Sequence, residues 1–500
     1  MIPSFAPNAF GLRAHSHRAD RLTVALLVFA LLIGLASRLW MSSVMPLADT
    51  VEARYGEIVR VGLANDFWLM PHASVTQPFF AKPPASTWLS MIAATAFGLS
   101  EGVLRLPSML LMLAVAAICA RLAARESGHA PGAGLWSACV VLLCPLGWVM
   151  AAAVMTDAVH LLAVVVAMAG ATAVVAGDAR ARKLGRYLFW AALGAGALAK
   201  GLATIALAVL PVAAYGVVTR RPFALAREFL APGPVLLAAV IALPWYIAAE
   251  RAYPGFLGYF IVGEHFQRFL VPGWQGDRYG SAHRETLGTI WLFAAVSIGP
   301  WLVALIALLV RRLRRPAQVA GSAASTGAVW WACWILAPLL LFTFSRNIIW
   351  TYVATALPPL GIWLAVTLAR MPWRRAAAAL TLVWAVALAF IAPHVARNLT
   401  EKSAKTLLSQ VPSFDPQFAL PLVVPHGYRF SGAFYSQGRA CVASNPAAEA
   451  ACEAASGGKG LRIVDLARAR QMAAAGTGEI IATDARSALL LMPPRSGSPR

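Results

Sequence analysis

Long apolar stretches recur along this chain of 500 residues, and charged or turn residues bound each stretch. A helix needs about 20 mainly apolar residues to cross the hydrocarbon core of a bilayer. The pattern predicts about eleven transmembrane spans, or up to thirteen, because residues 85–98 fit either a span or an interfacial helix. The eleven lie near residues 22–40, 103–120, 132–147, 151–176, 187–199, 202–219, 229–249, 287–310, 327–343, 350–369 and 376–393.

Basic residues fall in every second loop between these stretches, which predicts the orientation of the chain through the positive-inside rule. With residues 1–21 as a cytoplasmic N-terminus, the inner loops carry Arg121 and Arg125; Arg180, Arg182, Lys183 and Arg186; Arg220, Arg221 and Arg227; Arg311, Arg312, Arg314 and Arg315; and Arg370, Arg374 and Arg375. The same phase predicts three outer segments, namely the loops 41–102 and 250–286 and everything after residue 394.

Composition agrees with a membrane protein, since 59% of residues are hydrophobic and 13% are charged, against about 25% charged in soluble domains. The net charge of +21 is explained by the orienting loops, so we expect no nucleic-acid partner. No cleavage site follows the first apolar stretch, and we expect that span to remain as an anchor. The predicted fold class is an α-helical polytopic membrane protein with a transmembrane domain over residues 22–394.

The last hundred residues differ from the rest. Short apolar runs alternate there with Gly, Ser and charged residues, which predicts a small α/β domain over residues 395–492 and a disordered tail over 493–500. The runs are Leu420–Val424, Leu461–Val464, Ile480–Ala482 and Leu489–Met492. Cys441 and Cys452 lie in this domain and are candidates for a disulfide in an oxidising compartment. The other four cysteines lie in or beside apolar spans and are expected to pack as small hydrophobes.

Ionisable residues cluster in the predicted outer loops. Asp49 and Glu52 stand among arginines in the loop after the first span, where they are either part of a site or a solvated, salt-bridged helix start. Lys82 stands before Pro83 and Pro84, which fix the backbone. This lysine either grips a phosphate or anchors the loop at the membrane interface.

Two further groups are predicted on the same side. Asp157, at the outer end of a span, is either a general base or cation partner or a cap of its helix beside Thr156. Residues 263–284 hold several cations that suit either an anionic ligand or lipid phosphates, and Lys200 and Arg346 add two more.

One chemistry uses an acid, a rigid lysine and outward arginines together. Cations stabilise a phosphate leaving group, and a carboxylate takes the proton of an acceptor hydroxyl. The chain has no Walker loop or Gly-rich fingerprint, so we expect a sugar donor tethered to a lipid phosphate. Two alternatives come from other functional classes, namely a transporter and a non-catalytic scaffold. A transporter would carry ionisable residues near the bilayer midplane and an inverted repeat.

Eight motifs in order carry a resemblance to a known family. The chain resembles the ArnT and protein O-mannosyltransferase superfamily of GT-C membrane glycosyltransferases over roughly residues 20–395. The motifs are Asp49 with GluAlaArgTyrGlyGluIle, PheAlaLysProPro, LeuArgLeuProSer, ThrAsp at 156–157, LeuAlaLysGly, ProTrpTyrIle, GluHisPheGlnArgPhe, and PheSerArgAsn followed by ThrTyrValAlaThrAlaLeuProPro.

The resemblance implies a GT-C fold in a bacterial inner membrane and inverting transfer from a polyprenyl (undecaprenyl) phosphate sugar at the periplasmic face. The acceptor would be lipid A, whose phosphate receives 4-amino-4-deoxy-L-arabinose in ArnT, another glycan, or a protein Ser/Thr hydroxyl. The implied catalytic residues are Asp49, Glu52 and Asp157; donor phosphate would be bound by Lys82, Arg54, Lys200, Arg268 and Arg346, and substrate by Tyr55, Glu264, His265 and Tyr352.

The sequence departs from the family pattern at three places. Val51 precedes Glu52 where the family has an acid, Ala81 replaces the Glu before LysProPro, and PheSerArgAsn replaces a PheSer-x-SerLys pattern. Because that neighbourhood is associated with a divalent ion in ArnT-like enzymes, a divalent metal stays a candidate cofactor without an assigned ligand set.

Overall fold

The computed structural model describes residues 17–280, 283–314, 326–417, 419–443, 445–457 and 459–493. Our predictions for residues 1–16, for Arg315 and for residues 494–500 lie outside them. The chain forms two compact units. The helical unit comprises Met1–Arg38, Phe79–Trp88 and Pro107–Ala389; the mixed unit comprises Leu39–Pro78, Leu89–Leu106 and Phe390–Arg500.

Helices account for most of the described chain. They are α1 (His17–Val44), α2 (Val51–Ala64), α3 (Ala85–Phe97), α4 (Glu101–Glu126), α5 (Ala133–Leu143), α6 (Pro145–Met150), α7 (Asp157–Ala176), α8 (Ala179–Lys200), α9 (Leu202–Val218), α10 (Pro222–Phe229), α11 (Pro232–Ala252), α12 (Arg268–Leu270), α13 (Thr289–Ile298), α14 (Trp301–Arg314), α15 (Thr326–Thr343), α16 (Leu357–Ala369), α17 (Arg374–Thr400), α18 (Lys405–Leu408), α19 (Arg429–Tyr435), α20 (Pro446–Ala455) and α21 (Leu466–Ala474). A π-helix spans Gly258–Gln267 and 3₁₀ turns span Trp350–Ala356, Val411–Ser413 and His426–Tyr428.

Six helices of the described chain are long and apolar enough to cross a membrane, or seven spans if the bent pair α13 and α14 counts as one. This confirms a multi-pass helical membrane protein. The number is smaller than the predicted eleven to thirteen because α3, α5, α9 and most of α15 are apolar but only 10–17 residues long, and α8 begins with basic residues.

Two predicted spans have the wrong extent. The span predicted over residues 151–176 begins as a helix only at Asp157. The span predicted over residues 287–310 is broken into α13 and α14, which are bent by 107°. Gly299 adopts a positive φ of 62° at the break, and Pro300 after it has no N–H to continue the helical hydrogen bonds.

The helical unit is held by close helix pairs, of which α7 and α8 form the tightest. A Cβ on Gly170 would stand 2.7 Å from the Gly185 carbonyl oxygen, and a Cβ on Gly185 would stand 2.5 Å from the Gly170 carbonyl oxygen. Only glycine at both positions lets the two backbones touch, as small residues do between membrane helices generally. Helix α8 also packs against α11, α5 against α16, and α9 against α15.

The mixed unit contains α2, a short antiparallel hairpin and a five-stranded sheet. The hairpin strands are β1 (His72–Ser74) and β2 (Gln77–Pro78); the sheet strands are β3 (Leu422–Val424), β4 (Cys441–Val442), β5 (Gly460–Asp465), β6 (Glu479–Thr483) and β7 (Ser487–Met492). The sheet order is β4-β3-β5-β7-β6, with β3 parallel to β4 and β5, and β7 antiparallel to β5 and β6. Each predicted apolar run overlaps a strand, so the predicted small C-terminal α/β domain is confirmed.

Both faces of this sheet carry buried apolar residues, because alternate strand residues point to opposite sides. Leu461 and Ile463 belong to one buried cluster, and Val464 and Leu490 belong to the other, which includes Ala469 of α21. A disulfide between Cys441 and Cys452, with Cα atoms 5.8 Å apart, ties β4 to α20. The other four cysteines are free and buried. The unit also takes in residues of the first predicted outer loop.

Candidate active site

Lys82 follows two buried aromatic residues and is held by polar contacts of its ammonium group. Phe79 and Phe80 are buried, and the Phe80 backbone N–H donates to the Tyr279 hydroxyl at 2.9 Å. The Lys82 ammonium donates to the Ala81 carbonyl at 2.7 Å and lies 3.3 Å from Glu264 Oε2. The lysine is therefore fixed in place within the helical unit.

Glu264 joins two cations. It lies on the π-helix and is 9% exposed; besides Lys82, its carboxylate accepts from Arg268 Nη1 at 3.0 and 3.2 Å and from the Tyr259 hydroxyl at 2.9 Å. Arg268 continues the chain of charges, because its Nη2 lies 3.3 Å from Asp277 Oδ2. We call Lys82, Glu264, Arg268 and Asp277 the lysine–arginine cluster.

The charges of this cluster shift one another. Burial lowers the pKa of Lys82. The positive charges of Arg268 and Lys200 lower it further, and the negative charge of Glu264 opposes the shift. Burial alone would raise the pKa of Glu264, but the charges of Lys82 and Arg268 outweigh burial and lower it. Glu264 is therefore an anion that holds two cations side by side.

A second ion pair links the first residue of α7 with the last residue of α8. Lys200 Nζ lies 2.7 Å from Asp157 Oδ1, and it also stands 5.4 Å from the centre of the Tyr352 ring. The predicted capping alternative is not what the structure has, because the side chain of Thr156, the residue before α7, makes no capping hydrogen bond. The Asp157 carboxylate is instead paired with the Lys200 ammonium.

Two histidines lie near the helix ends that carry this pair. His160 Nδ1 lies 2.9 Å from the Thr204 hydroxyl, which donates to the Gly196 carbonyl. His265 contacts the Phe260 carbonyl at 2.7 Å and the Lys200 carbonyl at 3.2 Å, and burial lowers its pKa. His265 therefore supports the end of α8.

Gly201 brings His265 and Lys200 together. It follows Lys200 with a φ of +62°, and a Cβ there would lie 2.6 Å from the Phe260 ring and 2.9 Å from the His265 ring. A larger residue would push the π-helix away from the end of α8, which explains glycine in the LeuAlaLysGly motif.

Arg346, predicted to bind the donor phosphate, lies at the surface of the helical unit. Its side chain is exposed, and its carbonyl accepts from the Glu285 N–H at 2.7 Å. Its neighbour Asn347 is buried instead and joins two loops, accepting from the His283 N–H at 3.0 Å and donating to the Arg268 carbonyl at 3.1 Å. The sequence analysis assigned no role to Asn347, although it ends the quoted PheSerArgAsn motif, or to Tyr259, which precedes GluHisPheGlnArgPhe by five residues.

The remaining predicted residues lie in the mixed unit. Asp49 accepts hydrogen bonds from the backbone N–H groups of Phe430 and Ser431, both at 3.0 Å, and from the Ser431 hydroxyl. Burial raises its pKa, while these hydrogen bonds oppose the rise. The Asp49 carboxylate thus caps α19, which packs on α2.

Glu52 is taken up by a buried arginine. Arg105 Nε and Nη2 donate to the two Glu52 oxygens at 3.1 and 2.8 Å. Arg105 also donates to the carbonyls of Ser42, Met45 and Pro46 at 2.6–2.9 Å. This bidentate pair joins the start of α2 to α4; Tyr55, one turn further along α2, is half-buried.

The candidate divalent ion has no fitting ligand set in the part of the chain that the structure describes. No group of three His, Cys, Asp or Glu side chains there is placed to share an ion. The acids beside Lys82 and Lys200 are already paired. Glu264 pairs with Lys82 and Arg268, and Asp157 pairs with Lys200. We therefore assign no step to a metal.

Residues 21–260 match the family model described as dolichyl-phosphate-mannose-protein mannosyltransferase. Among curated relatives, the undecaprenyl phosphate-alpha-4-amino-4-deoxy-L-arabinose arabinosyl transferase of Erwinia tasmaniensis is 30% identical over 63% of this chain and 54% of its own length. The protein of the same name from an Enterobacter species is 29% identical over the same shares. The chain thus matches about half the length of these relatives.

A solved structure gives the fold over a longer range. The crystal structure of ArnT from Cupriavidus metallidurans bound to undecaprenyl phosphate superposes with a TM-score of 0.72 at 19% identity, covering 95% of this chain and 100% of that one. The apo structure of the same protein gives a TM-score of 0.70. The GT-C fold predicted from the motifs is therefore confirmed.

Proposed function

Because this chain belongs to the ArnT and protein O-mannosyltransferase superfamily of GT-C membrane glycosyltransferases, we propose that it transfers a sugar from an undecaprenyl-phosphate donor to a lipid acceptor. We propose the aminoarabinose named for the relatives as the sugar, and a phosphate of lipid A as the acceptor. The alternating basic loops support a bacterial inner membrane with the site facing the periplasm.

The lysine–arginine cluster is the observation that carries this proposal. Glu264 holds the Lys82 ammonium and the Arg268 guanidinium on one carboxylate. Two cations fixed in this way can bind the donor phosphate and stabilise the negative charge that grows on it as the bond to the sugar breaks. Glu264 is a positioning residue in this scheme because it acts through Lys82 and Arg268.

The transfer we propose is a single displacement. An acceptor oxygen attacks the anomeric carbon from the side opposite the phosphate, the C–O bond to the phosphate breaks, and its electron pair leaves with the phosphate. The configuration at the anomeric carbon is inverted. Asp157, paired with Lys200, is the acid we assign to the acceptor side, where it takes a proton from a hydroxyl acceptor.

A phosphate acceptor needs less help from a base than a hydroxyl acceptor. The second pKa of a phosphate monoester is about 6, so its oxygen is already mostly ionised near neutral pH, whereas a Ser or Thr hydroxyl must lose its proton during attack. Asp157→Asn should therefore slow transfer to a hydroxyl much more than transfer to a phosphate, which makes this variant a reporter of acceptor class.

Asp49 and Glu52 take a different part in this scheme from the one that their motif implies. Asp49 is hydrogen-bonded to the start of α19, and Glu52 is bidentate with Arg105. We propose that both act by positioning α2 and α19, and that Tyr55 and Tyr352 contact the substrates.

A reconstituted transfer assay tests the function. The purified full chain would be incubated with undecaprenyl-phosphate aminoarabinose and lipid A, and the lipids analysed by mass spectrometry. We expect lipid A to gain the mass of one sugar residue with the wild type and with Arg470→Gln, a matched loss of charge at an exposed position. Lys82→Ala should abolish the gain. No transfer by the wild type, or full transfer by Lys82→Ala, would refute the proposal.

The family model supports a second candidate, transfer to protein Ser/Thr hydroxyls, since it is described as a protein mannosyltransferase model. The same assay with a Ser/Thr-rich peptide and a polyprenyl-phosphate mannose donor separates the two. Glycosylated peptide without modified lipid A would favour this candidate.

A further inference from the structure

Two arginines of the mixed unit contact the same phenyl ring. The Cζ atoms of Arg54, on α2, and of Arg429, at the start of α19, each lie 5.0 Å from the centre of the Phe430 ring. Phe430 is buried, and both arginines are half-buried. Because each Cζ lies 5.0 Å from the same ring centre, the two guanidinium carbons are at most about 10 Å apart.

The carboxylates nearest in sequence are engaged elsewhere. On α2, Glu52 is bidentate with Arg105, and Glu57 accepts from Arg60 Nε and Nη2, both at 2.7 Å. Each acid of this helix therefore already has its own arginine.

Neither arginine of the pair has a carboxylate of its own. Among the described residues Arg54 and Arg429 form no salt bridge, and Arg429 makes one long hydrogen bond of 3.4 Å to Gln77. The buried Nε of Arg54 has no hydrogen-bond partner in the described chain. Both side chains are half-buried rather than enclosed, and a guanidinium carries five N–H donors that can be shared with an anion.

The electrostatics agree with two close like charges. Burial lowers the pKa of Arg429, the charge of Arg54 lowers it further, and Asp49 opposes both. Asp49 interacts electrostatically with both arginines, but its oxygens already accept hydrogen bonds from Phe430 and Ser431. The group keeps a surplus positive charge, which an anion would neutralise.

We propose that Arg54 and Arg429 bind a phosphate on the head group of the glycolipid acceptor. A guanidinium presents a planar fork of donors that matches phosphate oxygens, and it stacks on aromatic faces, as both do on Phe430. The proposal rests on the transferase function above. It reassigns Arg54 from the donor phosphate to the acceptor phosphate, because the helical unit has Lys82 and Arg268 for the donor.

A binding experiment with the full chain in phosphatidylcholine nanodiscs tests this site. The probes are bisphosphorylated lipid A, the same lipid after enzymatic dephosphorylation, phosphatidylglycerol and undecaprenyl phosphate. The variants are Arg54→Gln, Arg429→Gln and the double variant, with Arg470→Gln as the control for loss of charge in the same unit.

We expect each single variant to weaken binding of bisphosphorylated lipid A by about tenfold, the loss that a charge-assisted hydrogen bond carries. The double variant should lose more, and dephosphorylated lipid A and undecaprenyl phosphate should bind as they do to the wild type. Arg54→Lys and Arg429→Lys keep the charge but lose the planar fork, so they should weaken binding less than the Gln variants do, and they carry the test if the Gln variants do not fold.

Three results would overturn the proposal. One is wild-type affinity for bisphosphorylated lipid A in the double variant, and a second is equal loss with Arg470→Gln. Phosphatidylglycerol binding as tight as lipid A would show a general lipid head-group site and also overturn it. If the wild type transfers no sugar yet binds phosphorylated lipid A through these arginines, the transferase proposal fails while the phosphate site stands.

Discussion

The pair of Glu52 and Arg105 offers the sharpest test of how the first acidic motif works. Glu52→Gln keeps the shape of the side chain but leaves the Arg105 guanidinium, 1% exposed, without its counter-charge. Removing one partner of a buried ion pair costs about 3–5 kcal/mol. We expect the lower end of that range, because glutamine can still accept one hydrogen bond and three carbonyls still accept from Arg105.

Arg105→Met should cost more than Glu52→Gln. It leaves the carbonyls of Ser42, Met45 and Pro46 without their donor, and each unsatisfied buried group costs about 1–3 kcal/mol. The double variant should be less destabilised than the sum of the single variants, because the loss of the Glu52 charge leaves no buried cation unpaired once the arginine is gone.

Unfolding in mixed micelles with increasing SDS, followed by tryptophan fluorescence, measures these free energies, and transfer activity is measured on the same samples. If Glu52 acts by positioning, activity should fall in Glu52→Gln and in Arg105→Met alike. A Glu52→Gln variant that is as stable as the wild type and inactive would refute this reasoning and make Glu52 a catalytic residue.

Three further predictions use the same preparations. Raising the pH should remove the Lys82 charge, and with it donor binding, at a lower pH than for an ordinary lysine, because burial lowers the pKa of Lys82. When kcat/KM for the donor is measured over roughly pH 6 to 10, it should fall on the alkaline side, and Lys82→Arg should move that fall to higher pH. A pH profile that is unchanged in Lys82→Arg would contradict the assignment. Gly185→Ala should destabilise the helical unit by about 1–3 kcal/mol because its Cβ would meet the Gly170 carbonyl, while Gly102→Ala, with nothing within 4 Å of its Cβ, should not lower the thermal unfolding midpoint. Cys441→Ser should lower the stability of the C-terminal domain by about 2–4 kcal/mol, and limited proteolysis with and without reductant should show no further loss on reduction in that variant.

Local patterns predicted most of the elements, and the helix break that was missed also had a local signal. The four short apolar runs from residue 420 onward each overlap a strand, since burial on both sides of a sheet leaves a clear hydrophobic signal. The break between α13 and α14 was missed because residues 287–310 carry no charge; the adjacent Gly299 and Pro300 were the signal, and a glycine–proline pair favours a break over a continuous span.

The site was predicted as a set of residue types on one side of the membrane, and the pairings within it were not. Lys82 is 182 positions from Glu264, and Asp49 is 382 positions from Ser431. No periodicity connects positions so far apart. The motif order indicated which residues matter, but the partner of each carboxylate depends on how the helices pack.

The contact between Gly170 and Gly185 also bears on how the protein enters the bilayer. Helices α7 and α8 are joined by only two residues, so they form a helical hairpin whose free ends carry Asp157 and Lys200. A lone carboxylate or ammonium costs about 2.5–3.5 kcal/mol at the centre of a membrane helix and less near a helix end, where Asp157 and Lys200 lie. If the two helices insert as one packed hairpin, Asp157 and Lys200 pair before either side chain faces lipid. The close packing at the two glycines would then lower the free energy of inserting these charges below that of inserting either helix alone.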